Sequence, residues 1–217
     1  MGFREIRTLI DLKKVIAVGE GIHTEFKRKI SDPLSVISEM IALANTKGGH
    51  VMIGVDDDRS LVGIKYPEED IYQIDTLVKA HCKPALDFTT TSIKISEKKS
   101  VLILTIEKSN KRPHFLLQGE KKTTFVRSDD MTVKASREMK EILRREKSRK
   151  DIRFSWGEFE TLLMQYLEDH PYITLNEFQK ISGLGRFSVS RKLILLVLAN
   201  VLKVTPTERG DIYSRVP

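Results

Sequence analysis

The stretch "IALANTKGGHVMIGVDDDRSLVGI", residues 41 to 64, changes its hydrophobic period partway along, and that change sets the fold class. Its first part closes a helical pattern that begins at "SDPLSV". Asp32 is placed to cap, Pro33 takes the first helical position, where a missing N–H costs nothing, and Ile37, Met40, Ile41 and Ala44 recur at helical spacing. Gly48 is placed to stop that helix. "HVMIGV" (50–55) then reads as a short, buried strand. The acidic turn "DDDRS" leads into a second short strand, "LVGI".

Working outward, "EEDIYQIDTLVKAHC" predicts another helix, ending before Pro84 because the residue ahead of proline resists helix. "FTTTSIKIS" and "VLILTIE" flank "EKKS" as a hairpin, and "TTFVRS" reads as one more strand. The charged helix "SREMKEILRREKSRK" closes this first unit, an α+β domain with a mixed sheet over residues 1–147. Residues 148–154 read as a basic linker. From 155 to 217 the pattern is helical at first, with Phe159, Leu162, Leu163 and Tyr166 on one face. "TLNEFQKIS" opens with a capping box of Thr174 and Glu177, "GLG" supplies a tight turn, and "RFSVSRKLILLVLAN" is the next helix. "VLKVT" and "DIYSRV" around "PTERG" form a hairpin. That order predicts a small winged helix-turn-helix domain.

In such a domain the helix after the turn enters the major groove by its first residues. Arg186, Ser188, Ser190, Arg191 and Lys192 stand there, with Lys203 on the hairpin, as donors to phosphates and base edges. From Phe178 to Thr207 there are five basic residues and no acid. The whole chain is basic too, with 37 Lys and Arg against 30 Asp and Glu, net +7. Such an excess favours a polyanionic partner, because cationic surface releases counterions from phosphates.

Several classes drop out. Cys82 is the only cysteine, which leaves no intrachain disulfide and no cysteine-based zinc site and suits a reducing cytoplasm. The longest apolar run, "LILLVLANVL", is too short to span a bilayer, so no membrane partner is expected. There is no G-x-x-x-x-G-K-[ST] loop, and "GEG" lacks the third glycine of a dinucleotide fingerprint, so ATP is not expected as a cofactor.

One segment points to chemistry. In "GEGIHTEFKRK" (19–29), Glu20 and Glu25 precede Lys27, Arg28 and Lys29, three candidate phosphate contacts. As a strand, "HTEFKRK" puts Glu25, Lys27 and Lys29 on one face and Phe26 toward the core. Glu20 and Glu25 meet only if the chain bends between them, which Gly19 and Gly21 permit. With an aspartate from "DDD", converging carboxylates would suit Mg²⁺ or Mn²⁺ and phosphodiester cleavage. The same residues equally suit a loop acid, a cross-strand ion pair and a turn, and the spacing leaves both readings open.

"GEGIHTEFKRK", "IALANTKGGHVMIGVDDDRSLVGI" and "TTFVRS" together resemble the Schlafen-type AlbA_2 domain family, over roughly residues 17–135. The resemblance implies a DNA-binding domain, often followed by a winged helix and described in bacteria as a transcriptional regulator. Animal Schlafen proteins, similar in this domain, cleave structured RNA such as tRNA with three acids. Those acids match Glu20, Glu25 and Asp57, with Asp56 competing for the third place. Those proteins carry two copies of the fold, so this single copy would need a homodimer to build a similar groove. The leading expectation is therefore a DNA-binding regulator acting as a homodimer. The alternative is a metal-dependent ribonuclease with Glu20, Glu25 and Asp57 as metal ligands. "SDDMTV" after Arg127 departs from the small residues usual there and puts Asp129 and Asp130 where an anion would approach.

Overall fold

The computed structural model describes residues 5–146 and 155–216. The chain divides into two compact units, Met1–Lys134 and Ala135–Pro217. The expected linker, 148–154, lies outside the described residues.

In the first unit the quoted stretch folds as its period change requires. Helix α2 runs Pro33–Asn45, and the Asp32 carboxylate accepts from the N–H groups of Leu34 (3.0 Å) and Ser35 (3.2 Å). Its end is closed by the Gly48 N–H donating to the Leu43 carbonyl at 2.8 Å. Strand β2, Gly49–Ile53, follows with every residue buried. A Cβ on Gly49 would sit 2.3 Å from the His23 carbonyl oxygen, so only glycine lets the two segments approach this closely.

β2 is a middle strand of a mixed sheet, as expected. It pairs in parallel with β1 (Thr24–Lys27) and antiparallel with β5 (Lys99–Ile106), which pairs antiparallel with β4 (Thr89–Ser96). Alternation along β2 and β5 supplies two cores. Val51, Ile53, Leu102 and Leu104 face the cluster built on α2 and on α3 (Pro67–His81). Met52 and Ile103, with Phe26, face Leu12 and Ile16 of helix α1, Leu9–Val18. That helix was not anticipated from the sequence.

The "NT" of the motif then anchors the rest of the unit. Buried Asn45 donates through Nδ2 to the carbonyls of His114 (3.2 Å) and Phe125 (2.9 Å), and its Oδ1 accepts from the His114 N–H at 2.8 Å. The Thr46 hydroxyl donates to the Ala42 carbonyl and accepts from the Arg127 N–H at 2.9 Å. These bonds satisfy buried polar groups of the segment carrying β6 (Phe115–Gln118), β7 (Lys121–Thr123) and β8 (Phe125–Ser128). β6 and β7 extend a small sheet begun by β3 (Cys82–Lys83), while β8 pairs with β9, Met131–Lys134. Two strand expectations change. "TTFVRS" is divided at buried Thr124, where pairing passes from β6 to β9, and the Thr124 hydroxyl bonds to the His114 carbonyl. "LVGI" makes only isolated bridges, Val55 with Leu61 and Ile64 with Ser100.

In the second unit, α4 (Arg137–Arg145) is followed by α5 (Glu158–Asp169), β10 (Ile173–Thr174), α6 (Leu175–Ser182) and α7 (Arg186–Leu198). A hairpin of β11 (Leu202–Thr205) and β12 (Ile212–Arg215) completes it, with β10 pairing to β12. The Thr174–Glu177 capping box and the turn at Gly183 form as read. Leu163, Phe178, Val189, Leu193 and Tyr213 are fully enclosed in the core. The division falls at 134/135, so α4, read from sequence as closing the first unit, is grouped with the second. There Ile142 packs with Ile194 and Leu198 of α7.

Candidate nucleic-acid interface

The opening glutamates converge. Gly19 takes φ +95°, and the turn from Gly21 to Thr24 is closed by two backbone hydrogen bonds, 3.1 and 3.2 Å. This bend carries Glu20 back along β1, where its Oε1 accepts from the Phe26 N–H at 2.7 Å. Of the two glycines expected to permit it, Gly19 does so and Gly21 keeps an ordinary φ.

What Glu25 meets, together with Glu39, is Arg127, whose side chain is only 1% exposed. Its Nη1 bonds Glu25 Oε2 at 2.7 Å and Glu39 Oε2 at 3.1 Å, while Nη2 donates to the carbonyls of Gly21 (2.8 Å) and Thr24 (3.3 Å). Lys27 adds a second cation on Glu25, and the Thr132 hydroxyl donates to Glu39. Burial raises the pKa of Glu39, with the Glu25 charge adding to it. Burial likewise raises Glu20, the Phe26 bond opposing and Glu25 reinforcing. Burial disfavours the Lys27 ammonium, yet its bond to Glu25 and the surrounding carboxylates outweigh that and raise its pKa.

This donor set does not fit a divalent metal. Glu25 is already charge-paired twice, and Asp57 lies on the exposed turn, with its N–H donating to Asp56 Oδ1 at 3.1 Å. Asp56 itself pairs with Arg28 at 2.8 Å. Among the described residues no three His, Cys, Asp or Glu side chains are grouped to hold a metal ion. Burial pushes the Cys82 thiol up to about 12, so it is no nucleophile either. Of the three basic residues expected on phosphate here, Lys27 is committed to Glu25, Arg28 is half turned to Asp56, and Lys29 is exposed.

Sequence reasoning missed Glu39 and the role of Arg127. Glu39 did leave a signal, as the sole charge in an otherwise apolar and small-residue helix. Arg127 left none, since it meets Glu25 across 102 positions.

The second unit exposes cations at the start of one helix. Helix α7 opens at Gly185 without a side-chain cap and without an acid in its first turn. Arg186, Ser188 and Arg191 are exposed there, and Lys203 is exposed on β11. Arg186 also bonds Asn176 Oδ1 at 2.8 Å. The other two expected donors have partners inside the unit. Lys192 pairs with buried Glu160 at 2.5 Å, and the Ser190 hydroxyl donates to Glu138 at 2.6 Å. Arg186 and Ser188 stand at the positive end of the helix dipole, and the exposed set can meet phosphate oxygens and base edges.

Residues 20–136 match the model of a family described as Schlafen, AlbA_2. Among solved structures, the chain is similar to the N-terminal domain of a RecG-related protein from Nitrosomonas europaea. The two share 24% identity over 48% of this chain and 76% of that one, with a TM-score of 0.40. It is also similar to the DIP2311 protein from Corynebacterium diphtheriae, at 14% identity and a TM-score of 0.45, over 88% of this chain and 34% of that one. This chain thus spans about a third of the latter's length. No curated protein matches it.

Proposed function

This chain belongs to the Schlafen, AlbA_2 family, and from that membership we infer a nucleic-acid-binding protein, a transcriptional regulator that grips duplex DNA as a homodimer. The second unit serves as a winged helix, with α7 as its reading helix. The observation that supports this most is the first two turns of α7, where Arg186, Ser188 and Arg191 stand exposed inside an acid-free run from Phe178 to Thr207. Charge agrees for the chain as a whole, which holds 37 Lys and Arg against 30 Asp and Glu, net +7. The first unit adds backbone contacts through Arg28 and Lys29. Its inward carboxylates hold the fold, so geometry favours binding over metal-dependent cleavage.

The test is anisotropy of a labelled blunt duplex across a salt series. The logarithm of affinity should fall linearly with the logarithm of salt, by about 0.9 per phosphate engaged. Arg191→Ala should weaken binding about tenfold. Binding indifferent to salt, or unchanged in Arg191→Ala, would remove the reading.

A further inference from the structure

Resting on that nucleic-acid reading and extending it to a second ligand state, we propose that the cleft between α4 and α7 holds an unpaired nucleotide of a single strand. Phe187 is the face on which the base stacks, and the basic residues of the cleft meet the phosphates. The cleft measures about 590 Å³, in the range of sites that enclose small organic ligands. Arg137, Lys140, Arg144 and Arg145 of α4 and Arg191 of α7 line it, with Glu141 as its one acid. That acid is engaged by Arg144 at 2.5 Å. Phe187 also borders a second hollow of about 350 Å³, shared with Arg191 and Lys192. A phenylalanine 69% exposed beside such a set of cations has the make-up of strand-binding grooves, where charges follow the backbone and aromatic rings take the bases.

Width decides between paired and unpaired DNA here. Helix α4 packs on α7 through Ile142, Ile194 and Leu198, and Glu138 accepts from Ser190. Packed helices lie about 8–10 Å apart and each is about 10–12 Å across, so the pair is roughly 20 Å wide. A B-DNA major groove is about 12 Å wide. Helix α7 alone fills it, which keeps α4 with Arg137, Lys140, Arg144 and Arg145 outside the groove and beyond the reach of paired bases. A strand whose bases are unstacked reaches these residues.

The experiment compares three labelled probes on the full chain: a blunt duplex, the same duplex with a thymine overhang, and that overhang made abasic. A ribose version of the overhang distinguishes RNA from DNA as the source of the strand. The thymine overhang should bind about tenfold tighter than the blunt duplex, and the abasic overhang should lose most of that gain. Phe187→Ala should erase the difference between thymine and abasic overhangs, and Lys140→Ala with Arg145→Ala should flatten the overhang's salt dependence. Equal affinity for blunt and overhang probes in the wild type overturns the proposal, as does a Phe187→Ala loss shared equally by thymine and abasic overhangs. Overhang binding without salt-dependent blunt-duplex binding would instead remove the regulator reading and leave the cleft standing.

Discussion

Arg127 shows why an arginine rather than a lysine belongs at the back of this site. One guanidinium serves two carboxylates and two backbone carbonyls at once, which the planar fork allows and a single ammonium does not. A buried charge stripped of its partner costs about 3–5 kcal/mol, so Glu25 and Glu39 depend on it. Three glutamates share the neighbourhood with two cations, and burial, reinforced by the Glu25 charge, lifts Glu39 above the ordinary glutamate value of 4.5. The folded chain therefore holds a proton there at pH values where the unfolded chain has released it. The contribution of Glu39 is full below 4.5 and is lost as pH rises through its folded value. Glu39→Gln keeps an acceptor for Thr132 and Arg127 but does not titrate. As pH is lowered from neutral toward 4.5, the melting temperature of the wild type should rise relative to this variant. Parallel melting curves across that range, followed by circular dichroism, would show that Glu39 titrates normally.

At the scale of elements, what could be read in advance was local. The Asp32 cap, the Thr174–Glu177 box, the β4–β5 hairpin and the change from helix to strand between α2 and β2 depend on neighbours a few positions apart, and all form. What could not be read was set by distant partners. "TTFVRS" is a good strand by composition, yet Thr124 is claimed by the carbonyl of His114. Helix α1 owes its place to a greasy sheet face that Phe26 and Met52 create far along the chain. Likewise the order of helices and hairpin in the second unit was visible, but not that Lys192 and Ser190 turn to acids of α5 and α4. The α2–β2 junction tests how far such a local motif depends on a distant contact. Gly49→Ala places a methyl against the His23 carbonyl at φ +156°, combining backbone strain with a clash. We expect a loss of about 3 kcal/mol or more in urea unfolding followed by circular dichroism. Gly21→Ala, with an ordinary φ and nothing within 4 Å of the added carbon, should cost under about 1 kcal/mol. Equal losses would mean that the β2 approach to His23 is not what the motif's second glycine serves.

For the whole molecule, the proposed homodimer makes a geometric demand that one chain cannot meet. One copy of the second unit offers one start of α7, with Arg186, Ser188 and Arg191 as its exposed donors. That reaches a few base pairs and gives modest affinity. Two copies related by a twofold axis double the contacts and require a site with the same symmetry, its half-sites about 10–10.5 base pairs apart or a multiple of that. Duplexes selected by the protein from a random library should therefore carry inverted repeats at that spacing. Sedimentation of the selected duplex should give two chains per DNA. Inserting about five base pairs between the half-sites turns one to the opposite side of the helix and should reduce affinity to that of a single half-site. An asymmetric selected site bound by one chain, with no response to the insertion, would mean that the two surfaces of one copy, the α7 turn and the α4–α7 cleft, bind without a partner.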